Sequence, residues 1–288
     1  MTNHPLREHQ INCPDPHGSH TMAYVEWGAA DNPNVLICVH GLTRNCRDFD
    51  FLAQALADEY RVICPDIVGR GRSSWLASDE DYGFPVYVAD VCALIGNVNA
   101  KQVDWVGTSM GGLIGMLIAG QTPEMIGRLV LNDVGPVISA QALQRIGKYT
   151  GNAPLFDDIA AAERYIRAVS APSGNLTDAQ WRHLTIHEIR LRADGKYEVN
   201  YDPAISTVFR QAAAGGADID LWPTYDVIQC PTLVIHGMNS DLLGADTVRQ
   251  MTQRGPKAIA VEIANVGHAP ALLDSPQIKI VRDFLLEA

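Results

Sequence analysis

Residues 103–116 read VDWVGTSMGGLIGM. A short apolar run, Val103–Val106, meets Gly-Thr-Ser-Met-Gly-Gly and continues into Leu113–Ala119, which is apolar all round. The first run fits a strand buried on both faces, and the second fits a buried helix. A serine at that seam, with Gly107 two residues before it and Gly111 two after, has two readings. Glycine lets a chain reverse tightly, so Ser109 is a packing residue in a turn. Alternatively, the turn holds one hydroxyl out at the carboxyl edge of a sheet, the geometry of the G-x-S-x-G nucleophile elbow. The flanking strand and helix favour the second reading. A helix starting there also aims its first N–H groups at any negative charge that develops beside the serine.

Working outward, similar apolar runs recur at wide intervals: Val35–Val39, Arg61–Cys64, Leu129–Leu131, Thr232–Ile235 and Ile259–Ile263. They are nearly continuous rather than alternating, as expected for parallel strands covered by helices on both faces. Tyr24–Trp27 alternates and is expected at an antiparallel edge. Helical spacing fills the intervals at Arg47–Tyr60 and Tyr87–Val98. A last helix is expected after Ser275, its candidate N-cap, with Pro276 at the first helical position. Strand alternating with helix means an α/β fold built on a mostly parallel sheet with helices on both faces.

Residues 136–222 break the rhythm. Helical patterns follow one another at Val137–Tyr149, Ile159–Val169 and Asp178–Leu191 with no clear buried strand between them. The expected organisation is a core of residues 21–135 and 223–288, a mostly helical cap at 136–222, and an N-terminal extension at 1–20.

The 288 residues are 47% hydrophobic, and the formal net charge is −11. A surplus of acidic groups repels phosphate backbones and anionic lipid heads, so neither nucleic acid nor membrane is an expected partner. The six cysteines lack paired spacing. Cys38 and Cys64 lie inside apolar runs and read as small buried hydrophobes of a reducing compartment. No apolar leader and no run of about 18 apolar residues is present, so a cytoplasmic protein is expected. Cys13, His17 and His20 in CPDPHGSH resemble metal ligands in type, with His9 as a candidate fourth. Their place in a tail or early loop argues against a site, and no metal or other cofactor is expected.

A serine hydroxyl is a weak nucleophile until a base takes its proton. Among nine histidines, His268 in ANVGHAP follows the last strand and precedes the last helix, where a loop reaches back over the sheet edge. His40 and His236 sit at strand ends and read as structural. The base needs a carboxylate to orient it. Asp241, in HGMNSD after the strand Thr232–Ile235, gives the order Ser109…Asp241…His268. Asp133, at the end of LVLND, is the alternative acid, and Asp241 then becomes the N-cap of a helix over Leu242–Gln253. The backbone N–H groups of Leu42, after His40-Gly41, and of Met110 are the expected oxyanion donors.

These features together resemble the α/β-hydrolase superfamily, from about Tyr24 to the C-terminus. PDIVGRGRSS (65–74) is similar to its D-x-x-G-x-G-x-S turn, and VLNDVGP (130–136) is similar to the passage into its cap. The pattern lies nearest to small capped bacterial ester hydrolases and to carbon–carbon bond hydrolases of aromatic degradation. The resemblance implies cleavage of a small carboxylic ester through an acyl-enzyme, with no cofactor and with homodimer formation left open. Hydrolysis of a lactone or hydroxyalkanoate oligomer, carbon–carbon cleavage of a dienoate, and acyl transfer to an alcohol or peroxide use the same residues. A non-catalytic ligand-binding module on this fold is the reading from another class. Trp75, Tyr149, Phe156 and Trp181 are candidate linings of an acyl pocket, against ordinary packing. Arg190 and Arg192 have two readings, contacts for a carboxylate-bearing substrate or solvated helix-end charges, and the second is preferred.

Overall fold

The computed structural model describes residues 4–15 and 17–287, apart from the side chains of Lys148 and Tyr149. Eight strands form the main sheet: β1 (Arg7–Asp15), β2 (Gly18–Trp27), β3 (Val35–Val39), β4 (Arg61–Pro65), β5 (Val103–Thr108), β6 (Ile126–Asn132), β7 (Thr232–Gly237) and β8 (Ile259–Ile263). Their order is β1-β2-β4-β3-β5-β6-β7-β8. The pairs from β4 to β8 are parallel, and β1 and β2 are antiparallel. The continuous apolar runs occupy the centre as expected: every residue of β3 and β7 is buried. β8 departs from that expectation. It is the last strand of the sheet among the described residues, and Ile259 is 59% exposed there.

Residues 7–15 are part of the sheet, which corrects the reading of 1–20 as an extension. β1 pairs with β2 over its whole length and so removes Tyr24–Trp27 from the edge. Its sequence, REHQINCPD, carries little apolar signal because one face is solvated and the other is held by specific contacts. Arg7 donates to Glu26, and the His9 ring stacks on Tyr24 at 4.9 Å. His20, across from Cys13, bridges Asp15 (3.2 Å) and Asp90 (2.7 Å) on the helix Phe84–Asn97.

The helix Met110–Gln121 is buried nearly throughout, behind β5. The last helix, Ser275–Leu286, is capped by Asp274, which accepts from Gln277 N–H; Ser275 is its first helical residue rather than its cap. Residues 136–222 hold the helices Ala140–Thr150, Ile159–Val169, Asp178–Glu188 and Ser206–Ala214. They also hold small antiparallel strands that were not expected: Leu155–Phe156, Tyr197–Val199 and Ile189–Leu191 form one sheet, and Val137–Ile138 pairs with Ile219–Asp220. Two or three residues show no readable period, so sequence patterning misses such strands.

Candidate active site

The carboxyl ends of β3, β5, β6 and β7 meet where Ser109 leaves β5. Ser109 has φ 53° and ψ −114°, a conformation L-residues avoid and one that costs about 1–3 kcal/mol. The surroundings hold it there. Ser109 N–H donates to the Asn132 carbonyl at 3.0 Å, and the Ser109 carbonyl accepts from Leu113 N–H at 3.1 Å. The two flanking glycines are required by close approach. A Cβ at Gly107 would sit 2.3 Å from the Gly111 backbone, and one at Gly111 would sit 2.0 Å from the Val39 carbonyl oxygen.

His268 Nε2 lies 2.8 Å from Ser109 Oγ, and His268 Nδ1 lies 2.8 Å from Asp133 Oδ2. With Nδ1–H donating to the carboxylate, Nε2 is left as the acceptor of the serine proton. The acid in contact with His268 is therefore Asp133, the alternative of the sequence reading. Asp133 is fully buried and has φ 55°. Besides the imidazole it accepts from Gly237 N–H (2.9 Å, Oδ1) and Ser240 Oγ–H (2.6 Å, Oδ2). The expectation for Asp241 is corrected. Its side chain is 55% exposed and paired with Arg145 of the helix Ala140–Thr150, at 2.6 and 2.9 Å. It does not cap a helix either: the next one, Ala245–Met251, begins after Gly244. The reason lies in sheet order. β6 is the immediate neighbour of β5, so the tip of β6 sits under the His268 loop, while the loop after β7 turns outward after contributing Gly237 and Ser240. Asn132 ties these parts together by donating to Thr108 Oγ1 (3.0 Å) and the Pro270 carbonyl (2.9 Å).

Met110 is the first residue of its helix, so its N–H is among the donors with no acceptor inside the helix. Leu42 lines the same cavity as Ser109. Its peptide is oriented from the far side: His40 Nδ1–H donates to the Gly41 carbonyl at 2.7 Å. In a planar trans peptide this turns the Leu42 N–H the opposite way. His40 Nε2 accepts from Ile67 N–H at 3.0 Å, and burial pushes the imidazole down to about 4, so it stays neutral and keeps this tautomer. Arg70, fully buried, donates to the Leu42 carbonyl (2.8 Å) and reaches Met110 Sδ (3.6 Å). The sequence reading has His40 as a structural residue at a strand end, without these contacts, and missed Arg70. Arg70 stands between Gly69 and Gly71, whose positive φ of 83° and 56° makes the expected reversal. A charged residue inside so tight a turn was the available signal.

The cavity beside Ser109 has a volume of about 140 Å³. Ile146, Val169 and Leu184 from residues 136–222 line it together with Arg44, Phe49 and Leu273. The aromatic candidates lie elsewhere. Trp75 is 41% exposed under the Arg190 guanidinium, Phe156 packs on Tyr165, and Trp181 sits beneath Arg167. The Tyr149 side chain lies outside the described residues. Arg190 and Arg192 pair with Glu198 away from the cavity. A wider crevice at the amino ends of the strands, near Tyr60, Asp104 and Arg128, holds none of Ser109, His268 or Asp133. Of the tentative metal ligands, His17 pairs with Asp81, and Cys13 and His20 gather with Asp90. No helix among the described residues is long and apolar enough to cross a membrane.

Sheet order, elbow and histidine loop define a hydrolase of the α/β class, and the chain belongs to the alpha/beta hydrolase family, whose profile matches residues 36–282. It is 44% identical over 284 residues to the 3-hydroxybutyrate-oligomer hydrolase of Cupriavidus necator, covering 96% of this chain and 97% of that one. A crystal structure from Rickettsia typhi superimposes with a TM-score of 0.91 at 33% identity, over 99% of both chains. An alpha/beta hydrolase from Novosphingobium aromaticivorans does so with a TM-score of 0.84 at 32% identity, over 99% of both chains.

Proposed function

We propose that the protein is a serine hydrolase that cleaves carboxylic esters of short hydroxyacids, 3-hydroxybutyrate oligomers foremost. The observation that carries this is the continuous chain Ser109 Oγ, His268 Nε2, His268 Nδ1, Asp133 Oδ2, with both contacts at 2.8 Å. The 44% identity to an oligomer hydrolase over nearly the full length supports the substrate class.

In this reading Ser109 Oγ attacks the ester carbon while His268 Nε2 takes its proton. Asp133 keeps Nδ1 protonated and stabilises the imidazolium that forms. The tetrahedral oxygen is met by the N–H groups of Met110 and Leu42, aided by the positive end of the helix Met110–Gln121. His268 returns the proton to the departing alcohol, leaving Ser109 acylated. It then deprotonates a water that releases the acid. Residues 136–222 act as the cap that closes the cavity and limits substrate size.

The test is hydrolysis of the 3-hydroxybutyrate dimer and of p-nitrophenyl butyrate by the wild type and by Ser109→Ala. Turnover of both, lost by about four orders of magnitude in the variant, is expected, together with acylation of Ser109 by a fluorophosphonate seen by mass spectrometry. Folded wild-type protein that turns over neither ester and leaves Ser109 unlabelled would sink the reading.

A further inference from the structure

Arg44 stands between the nucleophile and the end of a cap helix. A Cβ built on Gly41 would lie 3.9 Å from Ser109 Cβ on one side and 3.5 Å from Arg44 Cγ on the other, so the arginine stem begins one small residue away from the reacting centre. Arg44 is the one Lys or Arg among the described residues lining the Ser109 cavity. Its Nε and Nη2 hold both oxygens of Asp48 at 2.8 Å, a fork on a fork. Nη1 donates to Glu188, the last residue of the helix Asp178–Glu188. Three of the five guanidinium N–H groups are thus engaged by carboxylates.

One cation facing two carboxylates in a sheltered site is an unbalanced arrangement. Asp48 is fixed by two parallel hydrogen bonds and lies four residues away on the same segment. Glu188 comes from a different part of the chain, and burial outweighs the attraction of Arg44 to push its carboxyl up to about 7. The neighbouring groups do not replace it as counter-ion. His187 is held neutral by burial, His183 Nε2–H donates to the Arg47 carbonyl and faces Asp50, and Arg47 is paired with Asp50. Glu188 makes one hydrogen bond to Arg44 where Asp48 makes two.

We propose that Arg44 is the carboxylate-recognition residue of this site, and that Glu188 occupies a position on the guanidinium that the free carboxylate of a substrate takes over. This rests on the ester-hydrolase reading above and deepens it. In an oligomer of 3-hydroxyacids, two carbons separate the last ester oxygen from the terminal carboxyl carbon. Arg44 and Ser109 line one cavity, so in this proposal a carboxylate held at Arg44 presents the last ester bond to Ser109. Hydrolysis there adds water across that bond and releases one hydroxyacid from the carboxylate end, with a shortened acid left from the acyl-enzyme.

The experiment compares the 3-hydroxybutyrate dimer with its methyl ester, an analogue of the same length without the charge, by the ratio of their kcat/KM values. The wild type is expected to favour the free acid by about tenfold or more, the scale of a charge-assisted pair. Arg44→Gln is expected to collapse that ratio by at least about tenfold, and Glu188→Gln to raise it at pH 8 through a lower KM for the acid. A ratio near one in the wild type, or a ratio that Arg44→Gln leaves in place, overturns the proposal while the ester-hydrolase reading stands. If Arg44→Gln does not fold, Glu188→Gln decides: an unchanged KM for the acid overturns the displacement. Cleavage of neither compound by the wild type removes both the proposal and the reading beneath it.

Discussion

The tip of β6 and the loop after β7 are neighbouring strand ends, and each carries an aspartate. At the first, Asp133 is buried, turned into a left-handed conformation, and surrounded by donors from Gly237, Ser240 and His268. At the second, Asp241 is solvated and pairs with a half-exposed arginine. The difference teaches what an orienting acid requires. A buried carboxylate stays ionised only if several hydrogen bonds replace its water. The loop after β7 supplies those donors rather than the charge: Ser240 Oγ–H donates to Asp133, while the N–H groups of Leu242 and Leu243 donate to Ser240 Oγ at 3.3 and 3.1 Å.

The strongest way to break the comparison is to neutralise each acid in turn. Asp133→Asn is expected to lower kcat by about four orders of magnitude with the fold intact by circular dichroism. The same loss in Asp241→Asn would reverse the assignment. Next in size is the elbow that both loops serve. Gly111→Ala forces a methyl against the Val39 carbonyl and is expected to destabilise the protein by about 3 kcal/mol or more, seen as a fall in Tm. A normal Tm with full activity would show that the turn tolerates side chains.

Ser240→Ala sharpens the comparison by removing one donor without touching the charge. A hydrogen bond to an ionised group is worth about 1.5–3 kcal/mol, so a drop in kcat of about tenfold or somewhat more is expected. An unchanged kcat would mean that Gly237 and His268 suffice.

Glu188 supplies a contrast in pH. Burial raises its carboxyl to about 7, so between the ordinary glutamate range near 4.3 and that value the folded chain holds a proton that the unfolded chain has lost. Its contribution to stability is complete at acidic pH and falls as pH rises through about 7, at no more than about 1.4 kcal/mol per pH unit. Denaturant midpoints of the wild type should therefore drop relative to Glu188→Gln over pH 5–7 and run parallel above; parallel curves throughout would deny the shift. The smallest effect is at the surface. Arg145→Ala, which frees Asp241, should change stability by less than about 1 kcal/mol and leave kcat within about twofold.

Much of this was legible along the chain because it depends on neighbours in sequence. Continuous apolar runs mark the strands: β3, covered on both faces, and β8, at the exposed edge, both keep the bounds their residues suggest. Gly107 and Gly111 announce a turn that only small residues permit, and His268 follows the last strand on a loop short enough to return. Polar β1 was illegible because partners such as Glu26 and Tyr24 hold it rather than any periodicity, and the strands of 136–222 because two or three residues show no period. The roles of His40 and Arg70 were equally hidden, because both act on backbone carbonyls that sequence does not display.

By itself, then, the sequence determined the α/β class, the strained serine turn and the histidine that faces it, because local sterics and burial patterns decide those. Tertiary structure alone decided which aspartate completes the chain and that Arg44 meets a carboxylate more than a hundred residues away. Strand order and the hydrogen-bond donors around a buried charge settle such matters, and neither is written in the spacing of residues along the chain.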